Sequence, residues 1–244
     1  TQRKKLEIEN KKMKEMYESE EHQATAEESE KLKQREEAWR KQVFLLQNAT
    51  ARESRREALE RFGPGPHRVR FTIKVDDVDP QNPTRSFVAE LAPLNLMPHA
   101  VHLFLEQVHH LLWDSTFIYL NGAHVLQVGP QKGLDKFKFT QLDTLSFPEY
   151  SHEFPHVPWT MGFTGRPGGP DWYINKADNT KPHGPGGQFQ HDLEEQADSC
   201  FGKIVEGMDM LKEIVFPMRV AGNGIAILEK PVQILTARIE GATG

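Results

Sequence analysis

The run Gly63-Pro64-Gly65-Pro66 constrains this chain more than any other feature, because its two prolines lack amide hydrogens and its two glycines oppose regular structure. It divides the 244 residues into two unlike stretches. Before it, residues 1–62 hold neither Gly nor Pro and are rich in Glu, Lys, Arg, Gln and Ala. They are expected to form one long charged helix, closed by a stiff linker over 63–68. Apolar positions there begin with Leu6, Ile8, Met13 and Met16, lapse from Glu18 to Lys31, and return as Leu32, Trp39, Val43 and Leu46. Two readings stand for this stretch. One is a coiled coil that self-associates or takes a partner helix through residues 32–46; the other is a solvated stalk that packs Trp39 to Leu46 on its own globular domain.

From His67 the texture changes to short alternating segments punctuated by Gly and Pro, which predicts a mainly β globular domain over 69–244. Val69 to Val75 and Ser86 to Leu91 alternate as half-buried strands, and Asp76 to Thr84 supplies the turn between them. Pro98 sits where a first helical turn tolerates it, and Val101, Leu103, Phe104, Val108, Leu111 and Leu112 continue at helical spacing. Thr116 to Leu120, His124 to Val128, Trp172 to Ile174 and Val232 to Ile239 read as further strands, and Met208 to Ile214 as a short helix. About eight strands with only two helices fit a closed barrel better than a parallel sheet.

Charge and cysteine content narrow the function classes. The first 62 residues carry 15 basic and 14 acidic side chains, so the chain's net −5 belongs to the barrel part. No block of one sign marks a nucleic-acid binder. A single cysteine, Cys200, excludes an internal disulfide framework and a multi-cysteine zinc site. No apolar run reaches the length of a membrane span. The sequence opens at Thr1 with no Met and no signal-like stretch, which leaves room for a preceding anchor or targeting segment and sets no compartment.

Phe201-Gly202-Lys203-Ile204-Val205-Glu206-Gly207-Met208-Asp209 resembles, almost residue for residue, the Phe-Gly-Lys-Val-x-Glu-Gly-Met-Asp string of the cyclophilins, a family of peptidyl-prolyl isomerases. Met97-Pro98 through Phe104 resembles the start of that family's first helix. Phe117 to Gly129 has the length of its Phe-His-Arg-x-x-x-x-Phe-x-x-Gln-Gly-Gly segment, and Trp159-Thr160-Met161-Gly162 is similar to its Leu-Ser-Met-Ala. Gly169 to Ile174 takes the place of its Gly-Ser-Gln-Phe-Phe-Ile. Over Val69 to Gly241 the resemblance implies an eight-stranded closed barrel capped by two helices, binding proline-containing peptides without cofactor or metal.

It also implies damaged chemistry. A prolyl bond turns over a barrier of about 18–20 kcal/mol because its C–N bond is partly double. The family lowers that barrier with an arginine that donates toward the proline nitrogen. The matching position is Tyr119, whose neutral phenol lacks the guanidinium's charge and planar fork. Gln127 keeps the family's glutamine, with a barrel-wall side chain bonded to backbone as its plainer role. The remaining groove positions fall at Phe117, His124, Val125, Met161, Gly162, Phe163, Asp171 and Tyr173, several of them changed in type. Asp192 to Asp198 replaces the family's Trp-Leu-Asp-Gly-Lys-His. Arg166, in a Gly/Pro loop, is a second candidate cation.

Other signals carry less. His152-Glu153-Phe154-Pro155-His156 fits the zinc-protease pattern, but Pro155 denies it the helix that would align its histidines. His99 with His102, and His109 with His110, have no third ligand at a metal-binding spacing. Asn48-Ala49-Thr50 is a glycosylation pattern of the kind chance supplies, and Gly184 to Gly187 reads as a flexible connection at the groove mouth. The sequence thus predicts a divergent cyclophilin-type module that binds proline-containing peptide or protein, with isomerase activity weak or lost. An active isomerase with a remodelled site, and a helical tether carrying an inert barrel, are the alternatives.

Overall fold

A computed structural model describes Lys12 and residues 26–75, 78–130, 134–188, 196–221 and 226–241. The early apolar positions Leu6 to Met16, the turn residues Asp76 and Asp77, and Asp192 to Glu195 lie outside the described residues. The chain forms two compact units, Thr1–Ala49 and Thr50–Gly244. In the first, residues 26–49 belong to α1, which runs from Ala26 to Phe62 without interruption, as its lack of Gly and Pro requires. Trp39, Val43, Phe44, Leu45 and Leu46 are exposed on it.

The second unit is a closed, wholly antiparallel eight-stranded barrel. Its strands are β1 (Arg68–Lys74), β2 (Thr84–Leu91), β3 (Thr116–Asn121), β4 (Val125–Gly129), β5 (Thr160–Phe163), β6 (Trp172–Asn175), β7 (Cys200–Glu206) and β8 (Ile227–Ile239). They close in the order β1-β2-β7-β5-β6-β4-β3-β8, which leaves no free edge. Alternation works as the sequence predicts in β1, where Val69, Phe71 and Ile73 point inward. Helices α2 (Pro98–His109) and α3 (Leu134–Thr140) lie between strands, as does the four-residue α4 (Thr180–His183). The expected short helix after β7 is α5 (Met208–Met210) followed by a π-helical turn over Leu211–Val215.

Phe104 of α2 anchors the core. Its ring meets Phe201 at 4.6 Å, Trp172 and Trp113 at 6.0 Å, Phe163 at 6.2 Å and Phe71 at 6.4 Å. Pro98 opens α2, and the buried Glu149 carboxylate accepts from the next two backbone amides, His99 at 3.2 Å and Ala100 at 2.8 Å. Burial pushes the Glu149 carboxyl up to about 7 against the pull of those amides.

The last turns of α1 belong to the barrel's unit. Ala58 is fully buried, Arg61 pairs with Glu106 of α2, and the Ser54 hydroxyl meets Nδ1 of His99 at 3.1 Å. The Ser146 amide donates to Nε2 of the same ring at 3.0 Å, so His99 is neutral with its proton on Nδ1. Burial, then the neighbouring His102, lower its pKa to about 4.

Candidate functional site

Three adjacent strands build a polar patch on the barrel wall. Side chains alternate along β3, so Ile118 enters the core while Tyr119 turns outward. Gln127 of β4 lies next to it, and Asp171 comes from the residue before β6. The Tyr119 hydroxyl donates to Oδ2 of Asp171 at 2.6 Å. Gln127 Nε2 donates to the Tyr119 oxygen at 2.6 Å and to Asp171 Oδ2 at 3.2 Å. The phenol proton is therefore bound to a carboxylate, and the phenol oxygen already accepts. Burial, then Asp171, hold the Tyr119 pKa above that of an ordinary phenol, so the group stays neutral. Gly129 makes room for the arrangement, since a Cβ there would lie 2.5 Å from the Asp171 carboxylate.

Beside this patch lies a cluster of rings around His183, the last residue of α4. Its imidazole packs on Tyr173 at 4.7 Å between ring centres, and on His124 and His156 at 5.7 Å each. His183 Nδ1 bonds Asp198 Oδ2 at 2.6 Å, and the Tyr173 hydroxyl donates to the same oxygen at 2.8 Å. Arg166 Nε donates to the other oxygen, Oδ1, at 2.9 Å. His156 Nε2 lies 3.0 Å from the Asp198 carbonyl, to which it donates. Burial alone would raise Asp198, but His183, Tyr173 and Arg166 outweigh it and hold the carboxyl below its usual range. A Cβ at Gly162 would lie 2.6 Å from the Tyr173 oxygen, so only glycine lets that phenol reach Asp198.

No family model and no curated protein matches this chain. Solved structures do. A cyclophilin type peptidyl-prolyl cis-trans isomerase from Cryptosporidium parvum is similar over 71% of this chain and 96% of its own, with TM-score 0.52 and 13% identity. A structure of that protein determined in the presence of the dipeptide Ala-Pro matches over 70% and 98%, with TM-score 0.52 and 14% identity. The barrel has the cyclophilin fold.

Within this cyclophilin-like barrel the positions singled out by sequence separate into groups. Tyr119, Gln127 and Asp171 share one hydrogen-bonded patch, while His124 and Tyr173 flank His183. Gly162 underlies Tyr173, and Val125 is buried on β4. Phe163 and Met161 are fully buried, and Phe163 stacks on Phe201 at 4.3 Å because β5 is buried along its whole length. Phe117 lines a different cleft of about 630 Å³, with Val75, Pro217, Met218 and Val232. Arg166 is not a free cation poised over the Tyr119 patch; it is 2% exposed and bound to Asp198. Sequence reasoning missed His183, Asp198 and His156 as site groups. The available signal was Asp198 itself, an acid at the head of the apolar run into Phe201, where burial demands a partner.

The buried imidazoles make stability fall in acid. Burial lowers His156, like His99, to about 4. A folded pKa below the ordinary 6.5 lends stability that is complete above pH 6.5 and lost as pH falls toward 4, about 3 kcal/mol per ring. Glu149 works oppositely: its folded pKa is raised from 4.5, so its buried charge destabilises above about pH 7 and is relieved on the way down. Urea unfolding at pH 7 and pH 4 is expected to show a net loss of about 3 kcal/mol, growing to about 6 kcal/mol in Glu149→Gln.

Proposed function

We propose that the barrel is a cyclophilin-type module for binding proline-containing peptide or protein segments, with isomerase activity weak or lost. The observation that carries the second half is the hydrogen bond from Tyr119 to Asp171. At the position that resembles the family's arginine, the only donor proton faces an anion rather than an open groove, and releasing it toward an imide nitrogen leaves the carboxylate short of a partner. The first half draws support from the similar structure obtained with Ala-Pro and from the polar groups of Gln127 and Asp171 on the barrel wall. In a protease-coupled assay on a proline peptide, the protein is expected to leave the uncatalysed rate unchanged, while the same peptide shifts NMR signals of Gln127 and Tyr173. Ordinary cyclophilin turnover would overturn the reading.

The exposed Trp39, Val43 and Leu46 favour a second reading in which α1 tethers the barrel to a partner helix or a second copy. Sedimentation of the full chain beside Trp39→Glu separates self-association, which the substitution abolishes, from a solvated stalk, which it leaves unchanged.

A further inference from the structure

We propose that His183 is an internal plug of the groove, so that peptide enters only when this imidazole swings out; the inference rests on the reading of the barrel as a peptide-binding module. His183 is not part of the barrel wall. It arrives from a connection between β6 and β7, and its ring packs on Tyr173 and His124, two positions that sequence reasoning had assigned to the ligand. It meets them as a guest would, with one face on an aromatic ring and one nitrogen bonded to a carboxylate.

The connection is built to present this ring. The His183 amide donates to the Asn179 carbonyl at 2.9 Å, and the Asp198 amide donates to the His183 carbonyl at 2.9 Å. Asn179 in turn holds the His124 carbonyl through Nδ2 at 3.0 Å. Gly184 and Gly187 have no space for a side chain: a Cβ would lie 2.1 Å from the Thr180 carbonyl in the first case and 2.4 Å from those of Lys181 and Pro182 in the second. The backbone at His183 is thus fixed, and the freedom left to the plug is rotation of its side chain.

The seated state also carries a cost. While Nδ1 bonds Asp198, Nε2 is buried with no hydrogen-bond partner among the described residues. An ion-assisted hydrogen bond and a ring contact favour the seated ring, while the unsatisfied nitrogen opposes it, which limits the seated-to-open ratio to about 10–100. Peptide affinity is reduced by that same factor, because only the open fraction is competent.

The test uses the full chain, its His183→Gly variant and a blocked peptide containing Ala-Pro. NMR of the histidine rings first reports the plug itself: the His183 Nδ1 proton is expected to exchange about 10–100-fold more slowly than that of a free imidazole, and unprotected exchange overturns the proposal whatever the peptide does. Titration then reports its effect: His183→Gly is expected to bind about 10–100-fold tighter than the unmodified chain, with signals of His124 and Tyr173 shifting. Equal binding by both proteins overturns the plug and leaves the module reading standing. Binding by neither, with the ring seated, overturns both.

Discussion

Asp198→Ala is expected to destabilise the barrel by about 3–5 kcal/mol, measured as a fall in the urea midpoint at constant m-value. The Asp198 side chain is 4% exposed and receives Arg166 on one oxygen and both His183 and Tyr173 on the other. Removing it takes an ion-pair partner from a guanidinium that is 2% exposed, and losing one partner of a buried charge pair is costly. The Tyr173 proton loses its acceptor at the same time. Asp198→Asn keeps one carbonyl oxygen and is expected to lose less. Replacing both partners, in Asp198→Ala with Arg166→Met, should recover much of the loss, since an apolar pair has no unpaired charge to bury. A loss below about 1 kcal/mol for the single substitution would show that water reaches the cluster and that the ion pair does not organise this end of the barrel.

The sequence carried some of this plainly and hid the rest for physical reasons. Strand β1 was legible because one of its faces is buried, which writes a period of two into Val69, Phe71 and Ile73. Strands β5 and β6 are buried along their whole length, so Thr160 to Phe163 has no period at all and only family resemblance marked it. A resemblance gives Phe163 a position in a string, and the string does not say which face of a doubly buried strand its side chain takes. The sequence reading starts strand β8 at Val232, yet its pairing with β3 extends back past Pro231 to Ile227. The pairing of Tyr119 with Asp171 spans 52 positions and joins β3 to the start of β6 across β4, a proximity set by barrel order rather than by local pattern. Asp198 and His183 lie 15 positions apart on either side of residues outside the described set, and nothing in their spacing announces a bond.

Catalysis is expected to return only when the partner of the phenol is changed with it. Tyr119→Arg alone restores the family's residue type but places a guanidinium against the Asp171 carboxylate, which now accepts from Tyr119 at 2.6 Å. A planar fork beside a carboxylate forms a two-pronged ion pair, so the cation is held on the wall and not aimed at a proline nitrogen. Tyr119→Arg with Asp171→Gln removes that trap and supplies the neutral amide that the resemblance places there. The double variant is expected to accelerate isomerisation of a proline peptide at least ~10-fold over the unmodified chain, equivalent to ~1.4 kcal/mol off a barrier of about 18–20 kcal/mol. The single variant should stay within about twofold of the starting rate, for the same 1.4-kcal-per-decade arithmetic. Adding His183→Gly clears the ring that packs on Tyr173 and His124, and is expected to lower KM with little change in kcat, because it frees binding space without touching the donor. An NMR exchange measurement on the same peptide reads all three. Equal rates for the single and double variants would mean that Asp171 does not compete for the guanidinium, and the hydrogen bond from Tyr119 would then describe the resting wall of the barrel without bearing on catalysis.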